Sequence, residues 1–148
     1  MKSIYLLMLV SLCQGLPSET RVAKLSAPDT VNVAVLDTII EISWNKIDSG
    51  DVEDPVLGYK VKVWKVRNIK TTTHAFVDGK LTPIVEETVE PSGMIPSGVP
   101  EVIVASANET IAIYSDVKEG VTYEFRVQAF TKNEEGPYSG PIRVKLGK

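Results

Sequence analysis

Cysteine is nearly absent: Cys13 is the only one in 148 residues. A chain with one thiol forms no internal disulfide and offers no thiolate zinc cluster. Histidine is equally scarce, with His74 alone. A histidine base needs a nucleophile or orienting group within reach, and no motif around His74 supplies one. Long apolar runs are missing too. Ile4 to Leu12, apolar but for Ser11, is about half the roughly 20 residues that span a bilayer. No long segment repeats apolar residues at the helical period. Basic excess is also lacking, with 16 Lys and Arg against 19 Asp and Glu. Nucleic acid attracts positive surfaces, so neither a nucleic-acid partner nor membrane insertion is expected.

What is present begins with a leader pattern. Met1-Lys2 carries charge, Ile4 to Leu12 is apolar, and Gly15 offers a small residue for cleavage. This predicts a secretory signal over residues 1–15 and a secreted, extracellular protein. Cys13 would leave with the leader. All 19 acids but 15 of the 16 bases lie beyond residue 15, a net charge of −4. Residues 16–26 are polar and mixed, which predicts a flexible arm. Residues 27–148 make one domain, held by its core alone.

The domain is rich in period-2 patterning, the mark of half-buried strands. Val31, Val33 and Val35 alternate after Pro28, as an edge strand would. Ile40, Ile42 and Trp44 alternate with Glu41 and Ser43. After an acidic loop, Gly58 opens a strand with Tyr59, Val61 and Val63 inward and Lys60, Lys62 and Trp64 outward. Short strands are expected over 99–105 and 109–114. The second has two possible registers, Ile111 with Ile113 inward or Ala112 with Tyr114 inward. Lys118 to Gly120 is a turn signal. Beyond it Tyr123, Phe125, Val127 and Ala129 face one side, and Glu124, Arg126 and Gln128 face a wet side. Ile142, Val144 and Leu146 close the pattern. About seven strands with few helix signals predict an all-β antiparallel sandwich.

Residues 67–98 depart from this regularity. Asp78-Gly79 is a two-residue hairpin signal. Thr73 to Val77 and Lys80 to Val85 are its expected arms, with Pro83 confining it to an edge. Glu86, Glu87, Glu90 and two Pro-Ser-Gly tripeptides then read as loop.

Ile40-Glu41-Ile42-Ser43-Trp44, Gly58-Tyr59-Lys60-Val61, Gly120-x-x-Tyr123-x-Phe125-x-Val127 and Gly136-Pro137-Tyr138-Ser139 together resemble a fibronectin type III domain. The resemblance covers roughly residues 26–147 and is interrupted at 67–98. It implies an immunoglobulin-like (fibronectin type III) antiparallel two-sheet sandwich with a long insertion after the third strand. It also implies a core built on Trp44, Tyr59, Tyr123, Phe125 and Val127. Trp44 plugs the space between sheets about 10 Å apart, and Tyr59 stacks near it. The Tyr123 hydroxyl needs a backbone acceptor upstream, as in a tyrosine corner. Glu119 stands where the family usually has Pro. Some relatives carry an integrin-binding Arg-Gly-Asp in the loop that here reads Lys132 to Gly136, but this chain has none. Nor does Tyr138-Ser139-Gly140 match the cytokine-receptor box.

Candidate sites are few. His74 is expected on a hairpin surface. Asp48, Asp51, Glu53 and Asp54 cluster in one loop without the spacing of a calcium motif. Asn108-Glu109-Thr110 is an N-glycosylation sequon. Trp64 faces outward by alternation, either exposed as a binding residue or covered by the insertion. No catalytic residues, cofactor or metal are expected. The expected function is a secreted binding or adhesion module contacting an extracellular protein, with Trp64, His74, Phe76, Asp78 and Lys80 as possible contacts. Alternatives are a structural matrix or coat component and, remotely, an enzyme.

Overall fold

The computed structural model describes residues 25–49 and 53–147. The leader at 1–15, most of the 16–26 arm and Asp51 lie outside these. Among the described residues there are nine strands: β1 (Asn32–Leu36), β2 (Ile39–Ser43), β3 (Gly58–Lys65), β4 (Asn68–Val77), β5 (Lys80–Val89), β6 (Glu101–Ser106), β7 (Ile111–Tyr114), β8 (Thr122–Phe130) and β9 (Ile142–Lys145). Seven of them build two antiparallel sheets, in the orders β1-β2-β7 and β6-β3-β8-β9. The other two, β4 and β5, pair only with each other. The fold is an all-β, immunoglobulin-like sandwich with a ribbon inserted between β3 and β6.

Alternation explains the core. Ile40 and Ile42 from β2, Tyr59, Val61 and Val63 from β3, and Tyr123, Phe125, Val127 and Ala129 from β8 are all buried between the sheets. The register sets Val61 across from Val127 and Val63 across from Phe125. Trp44 fills one end, its ring 5.3 Å from that of Tyr59. The Tyr59 hydroxyl accepts the Ile47 amide at 2.8 Å, which ties the β2–β3 loop to the core. At the other end Tyr123 donates its hydroxyl proton to the Asp116 carbonyl (3.2 Å) and accepts the Lys118 amide (2.9 Å). Gly120 follows with φ +75°, a left-handed value that suits glycine. Gly58 has a different reason: a Cβ there would collide with the Ala105 carbonyl of the neighbouring strand.

The register left open for β7 resolves toward Ala112 and Tyr114. Both are buried, whereas Ile111 and Ile113 are exposed. Tyr114 packs against Tyr123 and Phe125, and an aromatic ring fills that space better than either isoleucine.

The wet face expected on β8 is not wet. Every residue from Tyr123 to Ala129 is buried, including Glu124, Arg126 and Gln128. Two segments cover that side of the sheet. One follows β9's entry loop, where Glu135 and Tyr138 meet Lys60, Lys62 and Gln128. The other is the chain leaving β5, whose carbonyls at Ser92 and Met94 accept from Arg126.

Candidate functional site

The β4–β5 ribbon is the most individual surface of the molecule. It turns at Asp78 and Gly79, with φ +50° and +76°. Positive φ at both central residues is the primed turn whose twist matches a two-stranded ribbon. The arms are longer than expected, running to Asn68 and Val89. Glu86 and Glu87 are therefore strand residues, because a ribbon wet on both faces accepts polar residues at any position. Pro83 sits opposite His74.

One face of the ribbon carries the pairs Phe76–Leu81, His74–Pro83, Thr72–Val85 and Lys70–Glu87. Near the tip that face is apolar and open. Phe76 is 75% exposed and Leu81 61%. The opposite face carries Val77–Lys80, Ala75–Thr82 and Thr73–Ile84. Lys70 and Glu87 form an ion pair at 3.7 Å, in solvent, where such pairs contribute little.

The base of the ribbon is fastened. The Glu90 amide donates to the Arg67 carbonyl at 3.2 Å. Ser97 donates its hydroxyl proton to the Glu90 carboxylate at 2.6 Å and accepts from Arg67. The Ser97 hydroxyl is the main reason that Glu90 titrates below its ordinary value. Residues 90–97 then cross the outer face of the four-stranded sheet as a strap. Buried Glu124 lies beneath the strap, held by Arg126 and Arg143 at 2.8 Å each. Arg126 also donates to the Met94 carbonyl at 2.9 Å, and Arg143 donates to the Glu90 carbonyl. A carboxylate between two guanidiniums is compensated. One nitrogen of each guanidinium donates to the strap, Arg126 Nη2 and Arg143 Nη1, while Arg143 Nη2 is buried without a partner. At the far end of the same face Lys60 pairs with Glu135 and lowers its carboxyl below the ordinary value.

Sequence patterning missed this network, although its signal was present. Opposite charges at Glu124 and Arg126 share one face of one strand, and Arg143 lies directly across from Glu124 on β9.

The structure separates the expected contact residues. His74, Phe76, Asp78 and Lys80 lie together on the exposed ribbon. Trp64 does not join them. It is 2% exposed, directly across from Glu124, with its ring edge-on to Tyr138 at 6.0 Å. Trp64 is thus covered and not exposed, and the ring it meets, Tyr138, belongs to the β8–β9 loop and not to the insertion. Asn108 is exposed in the turn between β6 and β7, where the Glu109 amide donates to the Ser106 carbonyl at 3.0 Å. In the acidic loop Asp54 accepts the Thr131 hydroxyl proton at 2.7 Å. Among the described residues no group of three or more His, Cys, Asp or Glu could hold a metal.

The fibronectin type III domain model matches residues 26–145. A crystal structure of chicken CNTN1 FN1-FN3 domains superposes with a TM-score of 0.55 at 20% identity, covering 83% of this chain and 31% of that one. The third fibronectin III domain of human KIAA0343 protein superposes with a TM-score of 0.55 at 15% identity, covering 91% and 93%. This chain thus spans 31% of the length of the CNTN1 fragment. Identities this low show a shared fold and nothing finer. No curated protein matches the sequence. With its Trp44 plug, Tyr123 corner and seven sandwich strands, and with the domain model matched over residues 26–145, the chain belongs to the fibronectin type III family.

Proposed function

We propose that this protein is exported and acts as a non-catalytic binding module that contacts an extracellular protein through the β4–β5 ribbon. Fibronectin type III domains are commonly protein-interaction or adhesion modules. One observation carries the choice of surface. Phe76 and Leu81 stand side by side, 75% and 61% exposed, on a ribbon tied to the sandwich at its base by Arg143, which donates to the Glu90 carbonyl. Water-exposed aromatic and aliphatic pairs cost free energy that a partner recovers, and aromatic residues are enriched in binding hot spots. His74 on the same face and Asp78 at the turn flank the pair and supply polar contacts at its rim, with Lys80 beside the turn on the opposite face. Export is supported by the charged, apolar and small-residue sequence of 1–15.

The test uses a Phe76→Ser, Leu81→Ser double variant of the secreted chain. Chemical cross-linking in extracellular fluid, with mass spectrometry, should show partners lost while the melting temperature stays within a few degrees of the parent. An unchanged set of cross-linked proteins would remove the ribbon from the account. We also propose that Asn108 carries a glycan, supported by an exposed sequon in a turn. Glycosidase treatment should lower the mass of the native secreted protein, and an unaltered mass rejects the glycan.

A further inference from the structure

The two edges of the β4–β5 ribbon are not equivalent. The Glu90 amide donates to the Arg67 carbonyl, and these residues continue the ribbon's register one step past Asn68 and Val89. Bonded pairs therefore join odd-numbered β4 residues to even-numbered β5 residues, since antiparallel ladders alternate. The backbone groups of Asn68, Lys70, Thr72, His74 and Phe76 consequently point away from β5. On the other edge the outward residues are Leu81, Pro83, Val85, Glu87 and Val89. Pro83 has no N–H to offer, so it breaks that row at its middle. The β4 edge has no such block and no carboxylate between Val66 and Val77.

A two-stranded ribbon exposed on both faces is marginal, and three or more strands are needed for independent stability. From these observations we propose that the β4 edge pairs antiparallel with β4 of a second copy of this chain. This deepens the reading of the ribbon as a contact surface and rests on it. Among the registers that set outward residues opposite each other, one places His74 on the two-fold axis. Thr72 then faces Phe76 of the second copy, and Lys70 comes opposite Asp78 of the second copy, twice by symmetry. Alternative registers set Lys70 against Lys70 or leave it without a carboxylate on the second copy. The charge match selects the first. The ribbon faces join into apolar rows, running Leu81, Phe76, then Thr72 and Val85 of the second copy. Such an isologous pair closes on itself. Because Pro83 blocks the remaining edge, assembly stops at two copies.

About nine paired residues per copy, Lys70 to Asp78, make a small interface, below the roughly 1,200 Å² of stable complexes, so association is weak. Sedimentation velocity of the full secreted chain up to about 1 mM should show a reversible monomer–dimer equilibrium. Thr72→Pro removes an outward amide without touching the ribbon's own ladder, and should abolish the dimer with unchanged melting. Asp78→Asn keeps a favoured hairpin turn and should weaken dimerisation several-fold. Pro83→Thr opens the second edge and should yield species larger than the dimer. A parent chain that stays monomeric overturns the proposal, as does a Thr72→Pro chain that dimerises like the parent. If the chain is monomeric but the Phe76, Leu81 variant still loses its extracellular partner, self-pairing fails and the binding reading stands.

Discussion

Trp44 and Tyr123 pin opposite ends of the same core by different means. Trp44 acts through bulk, since its indole nitrogen has no hydrogen-bond partner. Tyr123 acts through its hydroxyl, which bridges Asp116 and Lys118. Trp44→Ala should therefore cost about 3–5 kcal/mol, and Tyr123→Phe about 1–3 kcal/mol, both read from denaturant melts. A Tyr123→Phe chain as stable as the parent would remove the corner from the account. Glu124 is the third sensitive position. Glu124→Gln leaves two guanidiniums without their carboxylate, and removing one partner of a buried pair costs about 3–5 kcal/mol. A neutral result would mean that the ion network does not hold the strap. The inward residues were legible because period 2 reports which side a residue faces. Burial of Glu124, Arg126 and Gln128 was not, because period 2 is silent on whether a distant segment covers the other side.

The ribbon and its strap, adjacent in sequence, do opposite things. Asp78-Gly79 announced the turn, but Pro83, Glu86 and Glu87 hid the length of the arms. The strap at 90–97 has a loop's sequence and is loop, yet its carbonyls accept from the arginines of the buried charge network. Removal of residues 70–87 with a short turn in their place should leave the melting temperature nearly unchanged. Removal of 70–96 should lower it by several degrees, because it strips the strap carbonyls to which Arg126 and Arg143 donate. Equal melting of the two deletions would mean that the strap contributes nothing. Acid should act at the same place. Glu90 titrates below its ordinary value of 4.5, chiefly through the Ser97 hydroxyl. A carboxyl lowered in the native state adds stability above that ordinary value and loses it as pH falls through the lowered one. The melting-temperature gap between the parent and a Glu90→Gln variant should therefore close as pH falls below 4.5. A gap that stays constant through this range would contradict it.

At the scale of the whole molecule, a conventional sandwich carries one unconventional projection. Core residues from β2, β3 and β8 account for the fold, and the ribbon adds nothing to that core. The core and the proposed contact surface are thus separate parts, as in rigid scaffolds that present binding segments on loops. The separation makes a single comparison decisive. The intact chain and the 70–87 deletion are cross-linked side by side in the same extracellular fluid, with melting recorded for both. Equal melting with partners retained only by the intact chain is the predicted result. A folded deletion that keeps the same partners would place the contact elsewhere on the sandwich and contradict the account.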